Sequence, residues 1–314
     1  MARNLKYQFK YAIEQSCRMG ADKHSMKRNQ AENKNMKART LSYSDRKNLI
    51  DVSANFSNWM KENYADIREL KDVTSNHVQE FLNDKAKTCT STTIEQYQSK
   101  FSKLEKLVNN TYTNANVSYT NTVTPVSANN TEKLRCKTMT NSDYNKLNNY
   151  MSENCRSQNA TKALQLSYHA GLRVSECAKL QQRDITINEN RTATVHIADS
   201  KGCRSRDINI VNKDSVQVLT QIRDSVANPN DRVVPIQAES INKAINRAMD
   251  RCNMQEYKEH KTSVHSLRKA FAQREYDRYK EEGLEPKQAW DRVSEELGHG
   301  KNREDLYKAY IENK

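Results

Sequence analysis

The chain has 314 residues, with 52 Lys and Arg against 39 Asp and Glu, a formal net charge of +13. That length allows two separately packed cores, and the positive excess favours a polyanionic partner, nucleic acid first and an anionic membrane surface second. No stretch approaches the roughly 18 apolar residues of a membrane span, the opening "MARNLKYQFKYAIEQ" lacks the apolar centre of a signal peptide, and seven widely spaced cysteines without a C-x-x-C pair argue against a disulfide framework or zinc site; an intracellular protein is expected.

Residues 1–40 are basic, with Leu5, Phe9, Ala12 and Ile13 at helical spacing, and read as an arm carrying a short helix. Over 41–110 the steps Leu49, Val52, Phe56, Trp59 or Met60, and Ile94, Tyr97, Phe101, Leu104, Val108 predict helices, with another near 75–84. "TTIE" at 92–95 has the form of a capping box. These make an all-helical N-terminal domain. The segment 111–134 is rich in Asn, Thr and Ser without aliphatic periodicity, which predicts a linker, or alternatively a polar hairpin. Residues 135–314 are mixed. Helices are expected near 142–152 and 157–182, then three short antiparallel strands in "DITINENRTATVHIADSKGCRSRDINIV", then helices near 213–227, 239–252, 263–281 and 286–297, and a last one bearing Tyr307 and Tyr310. The expected fold class is α+β and mainly helical: an all-helical N-terminal domain, and a C-terminal domain with a small antiparallel three-stranded sheet.

Four stretches concentrate chemistry: "HAGLRVSECAKL" (169–180), "SKGCRSR" (200–206), "HSLRKAFAQ" (265–273) and "LGHGKNREDLYKAY" (297–310). Singly, each has a plain structural reading as a solvated basic face, a hairpin turn or a surface pair. Together they supply what cleavage of a phosphodiester needs: a nucleophile, cations around the non-bridging oxygens and an acid for the leaving oxygen. Arginine's planar fork suits phosphate. Lysine can donate a proton, histidine can exchange one near neutrality, and a tyrosine oxygen can form a covalent phosphoryl link once its proton is removed.

This ordered set resembles the tyrosine recombinase (phage integrase) family, over roughly 135–312 and more loosely over 45–110, where that family carries a core-DNA-binding domain. The resemblance implies Arg173 and Arg268 as phosphate clamps, Glu176 as a supporting carboxylate, Lys201 as general acid, His265 as a proton-transfer residue and His299 as a donor to phosphate. The family's tyrosine commonly follows the Leu-Gly-His histidine by nine residues, whereas Tyr307 follows His299 by eight and Tyr310 by eleven. The aliphatic Ile311 and the polar "GKNRED" favour Tyr310 as nucleophile, with Tyr307 as the alternative.

The resemblance further implies a site-specific recombinase, an integrase of a mobile element, that cuts and rejoins DNA through a 3'-phosphotyrosine. Its partners would be double-stranded recombination sites, four copies of the chain assembled on DNA, and accessory DNA-bending proteins. No metal, nucleotide or other cofactor and no membrane are implied, and the expected location is the bacterial cytoplasm, with the nucleoid. Two other readings stay open: a DNA-relaxing enzyme of the type IB topoisomerase kind, and a non-catalytic DNA-binding regulator on the same fold.

Overall fold

The computed structural model describes residues 4–21, 39–129, 137–154, 157–198, 205–258 and 263–312. Helical spacing of apolar side chains is realised first in α1 (Leu5–Gln15), whose Leu5, Phe9, Ala12 and Ile13 are all buried and whose N-cap Asn4 accepts the Tyr7 N–H. This helix packs with α2 (Tyr43–Asn63), α3 (Ser75–Ala86) and α4 (Ser91–Thr111) into the first of two compact units, Met1–Lys133. Its core centres on Phe56, which meets the edges of Phe81 and Phe101 at centroid distances of 5.3 and 5.0 Å. Asp45 of α2 is bound by Lys100 at 2.6 Å and by Lys103, which ties α2 to α4.

Two local readings differ here. Helix α4 begins at Ser91 with Thr90 as its N-cap, so "TTIE" lies inside the first turn, and the Thr90 hydroxyl pairs with that of Thr93 at 3.1 Å. After α4, Val117 and Tyr119 are buried in the unit's core. Asn109 accepts the Val117 N–H and donates to its carbonyl, Glu105 accepts the Tyr119 and Thr120 N–H groups, and Ala128 donates to Ala86. Much of this stretch is thus held through its backbone, which is why its side chains show no aliphatic period.

The second unit, Leu134–Lys314, has its own core. It contains α5 (Asn141–Asn154), α6 (Asn159–His169), the single turn α7 (Val174–Cys177), strands β1 (Ile185–Ile187), β2 (Ala193–Ile197) and β3 (Arg206–Ile210), then α8 (Lys213–Asp224), α9 (Ala238–Arg251), α10 (Ser263–Glu281), α11 (Pro286–Glu296) and α12 (Glu304–Tyr310). The sheet has order β1-β2-β3 with both pairings antiparallel; Val195 faces Ile185 on one side and Ile208 on the other, all three buried. Helix α10 is buried almost all round in its first half, from Val264 to Ala272.

The helix expected over 157–182 is broken at residues 170–173. Gly171 has φ +64°, and a Cβ there would lie 2.4 Å from Cδ1 of the buried Phe271. Only glycine admits both that backbone and so close an aromatic ring. The chain re-enters a helix at Arg173, which caps α7 while the Glu176 carboxylate accepts its N–H at 2.9 Å.

Candidate active site

The break after α6 places Arg173 and Glu176 beside the start of α10, where His265 and Arg268 lie one turn apart. Arg173, His265 and Arg268 line one cleft of about 500 Å³, together with Asn242, Asn246 and Ser263. Arg268 is 1% exposed. Its Nη1 donates to the Gly171 carbonyl and its Nη2 to the Leu297 carbonyl, so the guanidinium plane is fixed from both sides. Its Nε is buried and has no hydrogen-bond partner among the described residues. Burial lowers the Arg268 pKa to about 10, against the opposing pull of Tyr310 and Glu176, and the group stays cationic at neutral pH.

Glu176, 4% exposed, is the hub of the charges. Besides the Arg173 N–H it accepts Arg173 Nη1 at 2.8 Å, and Arg268 Nη1 stands 4.0 Å away. A third arginine completes the set: Arg206, opening β3, donates Nη1 and Nη2 to the two Glu176 oxygens at 3.0 and 2.9 Å, and Nε to the Glu296 carbonyl at 2.6 Å. Burial alone would raise the Glu176 pKa; the hydrogen bonds and charge of Arg206, the Arg173 amide and the Arg268 charge overcome it and push it down to about 2.

Helix α11 ends at Glu296, and Gly298 turns the chain with φ +71°, its N–H on the Glu295 carbonyl. His299 follows, its own N–H on Ser294. Burial, then Arg268 and Arg173, lower its pKa to about 3; burial, then Arg268, Lys269 and Arg173, lower that of His265 to about 4. Both imidazoles are therefore neutral at physiological pH.

The two tyrosines of α12 have different surroundings. The Tyr310 hydroxyl and His299 Nε2 share a hydrogen bond at 3.1 Å, and the Tyr310 and His265 rings meet edge to face at 5.0 Å. Tyr310 is 4% exposed. Tyr307 instead donates its hydroxyl to Tyr276 at 3.2 Å and sets its ring against Trp290 and Tyr276. Beyond Tyr310 the chain is pinned: Ile311 is buried, the Glu312 N–H bonds Gln273 at 2.8 Å, and the Glu312 carboxylate accepts from Thr138 and faces Lys269 at 3.6 Å.

Residues 137–299, more than half of the chain, match the phage integrase family. The chain belongs to that family. A comparison with curated protein sequences finds no match, but solved structures share the fold. XerH site-specific recombinase in a post-cleavage complex with palindromic difH substrate is similar at TM-score 0.61 and 14% identity, over 99% of this chain and 91% of that one. The Tn1549 transposon integrase with circular intermediate DNA is similar at TM-score 0.58 and 15% identity, over 99% and 96%. A lambda integrase dimer on a COC' core site is similar at TM-score 0.57 and 14% identity, over 91% and 94%. Membership of the phage integrase family makes the chain a tyrosine-type DNA recombinase.

Of the residues singled out in this integrase-family sequence, the structure gathers Arg173, Glu176, His265, Arg268, His299 and Tyr310 around one cleft and its rear wall. Tyr307 packs elsewhere, and Lys201 lies outside the described residues. His299, expected to face phosphate, bonds the Tyr310 hydroxyl. Arg206 escaped the sequence reading although it closes "SKGCRSR". Its signal was an arginine at an inward-facing strand start, where β propensity favours an apolar residue.

Proposed function

We propose that the chain is a site-specific recombinase, the integrase of a mobile element, that breaks and rejoins duplex DNA through a 3'-phosphotyrosine. The observation that carries the reading is the convergence of the clamp formed by Arg173 and Arg268 with a tyrosine hydroxyl held by a neutral histidine. In this scheme the two arginines bind the non-bridging oxygens of one phosphate. The Tyr310 oxygen attacks phosphorus, its proton passes to a neutral imidazole, and the bond from phosphorus to the 5' oxygen breaks. His299 Nε2, 3.1 Å from the hydroxyl, is the nearest such base. Lys201 protonates the departing 5' oxygen. A 5' hydroxyl from a second strand then reverses the steps, and the energy held in the phosphotyrosine bond carries the rejoining without a nucleotide.

Four copies on two recombination sites fit this cycle, as in the lambda integrase tetramer bound to a Holliday junction. Accessory DNA-bending proteins and action in the bacterial cytoplasm belong to the same proposal. Among the described residues no helix is long and apolar enough to cross a membrane.

The test is covalent trapping on a nicked suicide duplex carrying the native recombination site. The wild-type chain and Tyr307→Phe should form adducts, and Tyr310→Phe should form none, since only the hydroxyl is removed. Adducts with Tyr310→Phe that vanish with Tyr307→Phe would move the nucleophile, and no adduct with the wild type would refute the covalent reading. Relaxation of a single-site supercoiled plasmid without two-site recombination would favour the topoisomerase alternative.

A further inference from the structure

Three guanidinium groups meet one carboxylate in this site. A carboxylate so close to a phosphate clamp is a hazard as well as a support. Glu176 reaches Arg173 Nη1 at 2.8 Å and stands 4.0 Å from Arg268 Nη1, so its charge competes for the cations that the substrate's phosphate needs. What limits the competition is the bidentate fork from Arg206, which takes one nitrogen to each Glu176 oxygen with a side chain only 8% exposed. The third Arg206 donor, Nε, is on the Glu296 carbonyl. The next carbonyl, that of Leu297, receives Arg268 Nη2, and His299 follows two residues later. One side chain therefore touches the support of both clamps and the turn that carries the histidine.

Resting on the recombinase reading above, we propose that Arg206 is a positioning residue for DNA cleavage. It saturates both oxygens of Glu176, so that this carboxylate orients Arg173 without neutralising the clamp, and it fixes the Glu296–His299 turn against the same carboxylate. Arg206 touches neither phosphate nor tyrosine in this scheme. Removing its fork leaves a buried carboxylate beside Arg173 and Arg268, which would draw those guanidiniums toward itself and away from the substrate.

The experiment measures single-turnover cleavage at saturating duplex, duplex affinity and thermal melting for Arg206→Gln, Arg206→Lys, Glu176→Gln and the Glu176→Gln/Arg206→Gln double variant. Arg206→Gln should slow cleavage on the order of 10²-fold, the scale of a clamp misplaced by about an ångström, with duplex affinity near that of the wild type. Arg206→Lys keeps the charge but not the fork, and should fall between the two. In the Glu176→Gln background the Arg206→Gln change should cost little further, because the carboxylate it governs is gone. The rate profile adds a readout that simple loss of packing would not produce. Among the described residues Arg173, Arg206 and Arg268 are the cations facing Glu176, so without Arg206 its carboxyl takes up protons more readily; protonation then ends its pull on the clamps, and Arg206→Gln should recover part of its cleavage rate on the acid side, a gain absent from the wild type. Cleavage at the wild-type rate by folded Arg206→Lys and Arg206→Gln would overturn the proposal. So would single-variant losses that simply multiply in the double variant, or, should Arg206→Gln melt below the assay temperature, full activity of Arg206→Lys. Each of these leaves wild-type adduct formation intact, which separates failure here from failure of the recombinase reading.

Discussion

Gly171→Ala tests how the backbone builds the arginine clamp. The residue has φ +64°, and an added Cβ would sit 2.4 Å from Cδ1 and 2.9 Å from Cγ and Cε1 of Phe271. An L residue in that backbone region costs about 1–2 kcal/mol, and forcing a methyl into a packed aromatic ring costs about 1–3 kcal/mol more. The expected loss is therefore roughly 2–5 kcal/mol. For a unit of this size that lowers the midpoint of melting by roughly 4–20 °C, at about 2–4 °C per kcal/mol. Because the Gly171 carbonyl accepts from Arg268, cleavage should also drop at temperatures where the variant is folded. Urea and thermal melting supply the stability, and comparison in a Phe271→Ala background separates the causes: with the ring gone, Gly171→Ala should cost only the backbone part. A loss below about 1 kcal/mol, or the same loss with and without the ring, would refute the reasoning.

Two further outcomes are expected. Burial raises the Glu296 carboxyl to about 7, beyond the opposing hydrogen bond from Tyr279, with Glu275 adding to the rise. The folded chain thus holds that proton longer than the unfolded chain, and stability falls as pH climbs from about 4.5 through 7; Glu296→Gln should raise the melting temperature well above neutrality and change it little near pH 5, whereas equal shifts at both would exclude the buried carboxyl as the cause. Phosphate entering the cleft should raise the proton affinity of His299, visible as an upward shift in the NMR titration of its ring when a duplex site is bound to Tyr310→Phe; an unchanged titration would mean that the arginines facing it do not meet the phosphate.

Much of the fold was legible because burial writes a period into sequence. Leu49, Phe56 and Met60 on α2, and Ile94, Phe101, Leu104 and Val108 on α4, are buried as their spacing implied, and β2 alternates as a strand with one covered face should. Departures fall where backbone or charge replaces that signal. The break at 170–173 rests on one glycine pressed to Phe271, a contact exactly a hundred residues away in sequence and invisible to local periodicity. The stretch after α4 is fastened by Glu105 and Asn109 to main-chain groups, which leave no pattern in the side chains they hold. Within the candidate site, residue types singled out the arginines and histidines, because phosphate chemistry needs forks and proton carriers. They could not reveal Arg206, whose partner is another protein side chain. Counting from His299 could not separate the tyrosines either. Trp290 lies against both rings; what divides them is the Tyr276 hydroxyl bonded by Tyr307 and the two imidazoles around Tyr310.

The same charges that would bind phosphate also set the histidines. Burial and the arginines together keep His299 and His265 unprotonated, so in the free chain an imidazole beside Tyr310 has little capacity to take its proton. In the proposed scheme an incoming phosphate would bring negative charge to Arg173 and Arg268 and offset the part of that depression that is Coulombic, leaving burial as the remainder. The proposed base would then be strengthened by the substrate whose cleavage it assists, and only when the phosphate sits between the two arginines. Arg206 makes this coupling tighter. With Glu176 already held by its fork, the charge of the substrate rather than that of the protein's own carboxylate is the one the clamping arginines respond to.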